Sequence, residues 1–202
     1  VGSPEPIVEA VHAYGGLVFS DVASLKHANK AIELGVDGLI LLCSGAGGNG
    51  GWNHPFAFVR AVRECYDGTI ILAGSVMDGI SIRAAELLGA NLVYMGTRFI
   101  ATHESDASDD YKQMVIDSNI DDLVMTTAFS GMNANFLRPS IIKAGLDPDD
   151  LPDYDTFIMT NHRKKRWKDI WSAGQGVTTV KRIETVSQVI QQLKEEYYND
   201  PY

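Results

Sequence analysis

The chain has 202 residues, 45% of them hydrophobic and 21% charged, a balance that excludes a disordered or low-complexity polymer as the default. A formal net charge of −9 and a pI near 4.9 argue against nucleic-acid or anionic-membrane partners, which would repel it. No apolar stretch approaches the roughly 20 residues that span a bilayer, and the two cysteines, Cys43 and Cys65, give neither a disulfide framework nor a Cys/His metal spacing, so a reducing, cytoplasmic setting without a metal is expected.

In chain order, PIVEAVHAYG predicts an amphipathic helix that stops at Gly15, and GLVFSDV a short strand. SLKHANKAIELG follows, with Ser24 as its N-cap and Gly35 as its stop, and VDGLILL is the next strand. PFAFVRAVRECYDG and TIILAG repeat the pattern, and so do DGISIRAAELLG and ANLVYMG. The strands are continuous apolar runs, as expected when helices cover both faces of a parallel sheet. Helix-long crossovers fit either an open doubly wound sheet or a (β/α)8 barrel, and periodicity does not separate the two.

Past Ile100 the rhythm breaks. ATHESDASDDYKQMVIDS predicts a capped helix, TTAFSGMNANFLRPSII has no assignable strand partner, and LDPDDLPDYD is a loop. HRKKRWKDIWSAGQG predicts a helix ending in a glycine turn, its basic run His162 to Trp167 being a solvated face, and VKRIETVSQVIQQLKEEY an amphipathic terminal helix. The expectation is one domain over 1–202, with βα units in 1–104 and a helical elaboration in 105–202.

Three glycine-bearing loops stand at the carboxyl ends of strands: SGAGGNGG, GSVMDG and GTRF. Ligands of α/β folds bind at such ends, and successive backbone N–H groups form an anion site there without a basic side chain. Gly74 and Ser75, one βα unit before Gly96 and Thr97, are placed to grip one phosphate between adjacent strands. The alternative is that these glycines only allow tight turns. Neither a Walker loop nor GxGxxG is present.

Taken together, VGSPEP, SGAGGNGG, ILAGSVMDG, LGANLVYMGTRFIATHES and SAGQGV resemble the nitronate monooxygenase (2-nitropropane dioxygenase) family, in order along nearly the whole chain. The resemblance implies a (β/α)8 barrel of TIM-barrel type that binds FMN and oxidises alkyl nitronates with molecular oxygen to carbonyl compounds and nitrite. It also implies that Gly74, Ser75, Gly96 and Thr97 hold the FMN phosphate, that Gly47 and Gly48 let backbone approach the flavin ring, and that Gln175 lies near it. In this family the glycine turn usually reads AGGHxG; here Asn49 takes the histidine's place. Asparagine can donate a hydrogen bond to a nitro oxygen but cannot take a proton near neutral pH. His54, five residues on, is the nearest substitute.

Only about four βα units are recognisable, so the chain is expected to cover the C-terminal half of a barrel plus C-terminal helices. Its apolar edges would then pair with a missing N-terminal half or with a copy of itself. Two other activities share the resemblance: an FMN-dependent enoyl-thioester reductase, and a truncated relative without catalysis.

Overall fold

Four short apolar runs form a parallel sheet in the order β1-β2-β4-β5 in this computed structural model, which describes residues 3–160 and 168–199. β1 (Phe19–Val22), β2 (Gly38–Leu42), β4 (Thr69–Ala73) and β5 (Leu92–Tyr94) are joined by α2 (Leu25–Glu33), α3 (Pro55–Arg63) and α4 (Gly79–Leu88), with α1 (Glu5–His12) leading into β1. The fold is α/β with a parallel sheet, and its registers run Asp21↔Ile40↔Ile71↔Leu92 across all four strands.

The crossover helices α2, α3 and α4 each begin where a side chain satisfies a first-turn N–H group. The Ser24 hydroxyl accepts from His27 N, and Asp78 and Ser81 form a reciprocal capping box at α4. One face of every strand faces the core: Val18, Val22, Leu39, Leu41, Ile70 and Leu72 pack with Phe58, Val59, Val62 and Ala28 beneath the helices. The pleat turns the alternate residues to the other face, where Phe19, Leu92 and Tyr94 remain 38%, 55% and 64% exposed.

Beyond β5 the chain departs from a purely helical elaboration. After α5 (Thr97–Ile100) and α6 (Asp109–Asp117), β6 (Leu123–Thr126) and β7 (Ala134–Leu137) form an antiparallel hairpin. Its third partner is β3 (Gly48–Asn49), the glycine turn itself. β7 is buried at every position, so it shows no alternation that sequence periodicity could detect. Phe129, Phe136, Ile141, Phe157 and Ile170 make a second core beside the hairpin, reinforced by edge-to-face ring contacts.

Two helix expectations also change. The stretch from Ala101 is helical only from Asp109, where the Ser108 hydroxyl caps the first turn. Lys168–Gly174 is not helical, and a short 3-10 turn occupies Gln175–Thr179 instead. The basic run His162 to Trp167 lies outside the described residues. The terminal helix α9 (Val186–Tyr198) starts at a Thr185/Gln188 capping box and packs on α4.

Candidate functional site

Each glycine loop leaves the carboxyl end of a strand, and they meet there. Gly174 N donates to the Thr97 hydroxyl at 2.8 Å, Gln175 N donates to Gly45 O at 3.0 Å, and the Ser75 hydroxyl donates to Gln175 Oε1 at 3.2 Å. Turns 77 residues or more apart in sequence are thus tied into one cradle. The approach is close enough to require missing side chains. A Cβ at Gly47 would stand 2.7 Å from Gly174 N, and one at Gly74, where φ is +114°, would stand 2.8 Å from Ala46 N. Ser75 follows with φ of +60°, the one non-glycine residue with positive φ among the described residues. Such a conformation costs energy and concentrates at functional sites.

The glycine turn is also held from the side by the hairpin. Asn135, 4% exposed, donates through Nδ2 to Ser44 O at 3.0 Å and to Ala46 O at 2.7 Å. Gly50 N donates to Asn133 O, and β3 pairs Gly48 with Asn135 and Asn49 with Ala134. Asn135 escapes sequence reasoning because nothing in NANF marks it; only the cross-strand register reveals its task. The 172–176 turn has its own support. The Tyr111 hydroxyl donates to Ser172 O, and its ring stacks on Trp171 at 5.0 Å.

A cavity of about 1070 Å³ opens beside the cradle. Of the residues expected at the site, Gly47, Asn49, Gly74, Ser75, Gly96 and Thr97 line it. Gly48 and Gln175 do not; Gly48 is buried in β3, and Gln175 buttresses Ser75 from behind. Gly96 differs from the packed glycines, since a Cβ there would meet nothing within 4 Å. Asn49 Oδ1 is buried without a hydrogen-bond partner, so that oxygen is not engaged by the protein.

His54 has a structural task. It is the N-cap of α3, its Nδ1 accepts from Phe56 N, and it is not among the cavity-lining residues. Cys43 lies fully buried behind the glycine turn, and burial pushes its thiol up to about 12, so it stays protonated at neutral pH. Thr102 and Glu104, conspicuous in the sequence, also serve the scaffold. Thr102 bridges to Glu184 in parallel, and the Glu104 carboxylate accepts from Val186 N at the start of α9. Arg98, next to Thr97, is buried with Glu184 at 2.6 Å, which fastens α5 to the segment leading into α9.

The residues present fit a flavin mononucleotide. Neutral hydroxyls and the Gly74–Ser75 turn surround open space, and the glycines remove side chains from the closest approaches.

Comparison with known proteins gives the family. A family model described as nitronate monooxygenase matches residues 1–196. A probable nitronate monooxygenase of Bacillus subtilis is 27% identical over 212 aligned positions, covering 96% of this chain and 61% of its own. An octahydroindene-carboxyl-CoA dehydrogenase of Mycobacterium tuberculosis is 30% identical over 142 residues, covering 69% of this chain and 40% of its own. The chain therefore spans between two-fifths and about three-fifths of the length of these two relatives. Among solved structures, FabK from Thermotoga maritima superposes with a TM-score of 0.81 at 27% identity, over 98% of this chain and 66% of that one. A nitroalkane oxidase from Streptomyces ansochromogenes shares the fold with a TM-score of 0.80 at 23% identity, over 96% of this chain and 60% of that one.

Proposed function

The chain belongs to the nitronate monooxygenase family, and on that premise we propose that it carries the FMN-binding and substrate-binding site of an oxidoreductase that oxidises alkyl nitronates with molecular oxygen. What supports this reading above all is the convergence of the Gly45–Gly50, Gly74–Ser75 and Gly174–Gly176 turns with Thr97 around one cavity. In it, Gly74, Ser75, Gly96 and Thr97 hold the FMN phosphate, and Gly47 lets the backbone approach the flavin ring. Gly48 and Gln175 act indirectly, by fixing the turns. FMN, when bound, supplies the electron-accepting chemistry.

Asn49 binds the nitro group as a hydrogen-bond donor. The overall change balances as two nitronate anions and one O2 giving two carbonyl compounds and two nitrite ions. Oxygen uptake by the FMN-loaded protein with ethyl nitronate tests the assignment. Uptake well above that of free FMN is expected, and a protein that holds flavin yet shows none would overturn it.

A second reading is favoured by one observation, the 30% identical dehydrogenase whose name specifies an acyl-CoA thioester. On that reading the same cradle holds FMN for an enoyl-thioester reductase. Anaerobic bleaching of the flavin by NADH or NADPH, one flavin per nicotinamide, would favour it.

The parallel sheet has two free edges, β1 and β5, and a cavity-side face that is partly exposed. In keeping with the resemblance to a (β/α)8 barrel, further parallel strands complete it and enclose the cavity. The sparse cysteine usage of the sequence fits a cytoplasmic setting. Among the described residues no helix is long and apolar enough to cross a membrane.

A further inference from the structure

The four parallel strands read FSDV, GLILL, TIILA and LVY, and Asp21 is the only charged residue in them. Aspartate is among the residues least suited to a strand, since its short polar side chain favours turns and caps. Most of the chain's structurally engaged aspartates do such work: Asp37 accepts from Val18 N, Asp78 caps α4, and Asp149 pairs with Arg138. Asp21 does none. Among the described residues no hydrogen bond or ion pair holds it.

Its place in the register explains what it can do instead. Val18 and Val22, on the opposite face of the strand, enter the core, which turns Asp21 to the cavity-side face. There it stands at the end of the row Asp21, Ile40, Ile71, Leu92, whose other members are all apolar. It is the penultimate residue of β1, near the carboxyl end, and among the described residues the only carboxylate lining the cavity. The neighbouring strand end leads into the glycine turn with Asn49, and Asn53 Nδ2 ties the exit of that turn to Ala23 O, two residues beyond Asp21.

We propose that Asp21 is the proton acceptor of this site, and that it widens the substrate class from preformed nitronates to neutral nitroalkanes bearing an α C–H. The proposal rests on the nitronate-oxidising reading above. A carboxylate oxygen of Asp21 takes the α-proton, and an O–H bond forms as the C–H bond breaks. The C–H pair becomes the C=N bond of the nitronate, and the N=O π pair moves onto the nitro oxygen. Asn49 donates a hydrogen bond where that charge collects. The site keeps one negative charge throughout, because the carboxylate is neutralised as the nitronate forms. An incoming nitronate, by contrast, would meet a like charge. The step needs no co-reactant and changes no oxidation state.

His27 and Lys30 also line the cavity, but both belong to α2, which covers the core face of β1. They approach from the helix side, and His27→Gln therefore serves as the control.

Two measurements on the purified protein decide the matter. The first is hydrogen–deuterium exchange at the α-carbon of nitroethane in D2O, followed by proton NMR without oxygen, which reads proton transfer independently of oxidation. The second is oxygen uptake by the FMN-loaded protein with nitroethane against ethyl nitronate. Asp21→Asn should lower both the catalysed exchange and nitroethane oxidation by about 10² to 10⁴, and should raise turnover of limiting ethyl nitronate by removing the like charge. Asp21→Glu should restore part of the exchange, which a merely structural aspartate would not predict. Exchange by Asp21→Asn at the wild-type rate, loss of exchange in His27→Gln instead, or a wild-type protein that oxidises ethyl nitronate but neither exchanges nor oxidises nitroethane would each overturn it. If neither substrate is oxidised by a flavin-loaded protein, the nitronate reading fails, while the exchange measurement still decides whether Asp21 accepts the proton.

Discussion

Gly96 and Gly47 line the same cavity for opposite reasons. A Cβ at Gly47 would strike backbone at 2.7 Å, whereas one at Gly96 would project into space open to 4 Å, with no positive φ to forbid it. Gly96→Ala should therefore leave the unfolding free energy of the ligand-free protein nearly unchanged, within about 0.5 kcal/mol, yet weaken FMN binding in a fluorescence-quenching titration. Equal FMN affinity in the two proteins would remove Gly96 from the site. Thr97→Ala removes a hydroxyl that already accepts from Gly174 N, so it loosens the cradle as well as losing a ligand donor. A loss of about 1 to 3 kcal/mol in FMN binding is expected in the same titration. The glycines could be found from sequence because they interrupt apolar runs at strand ends. Asp21 could not, since a single acid in FSDV looks like an ordinary polar position until the register shows which face it occupies.

Between secondary-structure elements, long-range polar contacts do what local propensity cannot. Asn135 joins β7 to the glycine turn through two carbonyls, and Asn135→Ala would leave Ser44 O and Ala46 O without that donor. A destabilisation of about 1 to 3 kcal/mol in urea unfolding is expected, with a larger loss of FMN affinity than the distance from the cavity would suggest. The Arg98–Glu184 pair joins elements 86 residues apart, and its members are 5% and 6% exposed. Arg98→Met removes one of the two guanidiniums on the buried Glu184 carboxylate and leaves Arg182 on the other oxygen, so it should cost about 1 to 3 kcal/mol in urea unfolding.

Burial pushes the Glu184 carboxyl up, but the hydrogen bonds and charges of Arg98 and Arg182 outweigh it and hold the group below its ordinary value. A lowered folded value means that this contribution is complete above about pH 4.5 and is lost as pH falls through the lowered value. Glu184→Gln should accordingly show a shallower acid loss of unfolding free energy than the wild type. Pairings like these are invisible to periodicity, which reads only neighbours a few positions apart. That is also why β6 and β7, short and lacking a buried/exposed alternation, were not legible while α2, α3 and α4 were.

For the molecule as a whole, the parallel βα units were legible because three of the four strands, GLILL, TIILA and LVY, are continuous apolar runs that lead into a glycine turn. The exposed side of their sheet follows from the same composition. Phe19, Leu92 and Tyr94 project from a face that a parallel sheet normally keeps covered. The isolated chain should self-associate in sedimentation velocity, and Leu92→Glu should shift it toward monomer by placing a charge in that face. An unchanged distribution would mean that this face is not the one that associates.

The glycine turn of residues 45–50 is fastened by Asn133 and Asn135 on one side and by Gly174 and Gln175 on another. During synthesis the four parallel strands, residues 19–94, emerge well before residue 175, and the glycine turn lacks its Gly174 and Gln175 contacts until then. Loop closure over such separations is slow compared with local helix formation. The segments of the scaffold are therefore made before those that complete the pocket. Cofactor capture becomes a late step, available only to molecules whose distant segments have already met.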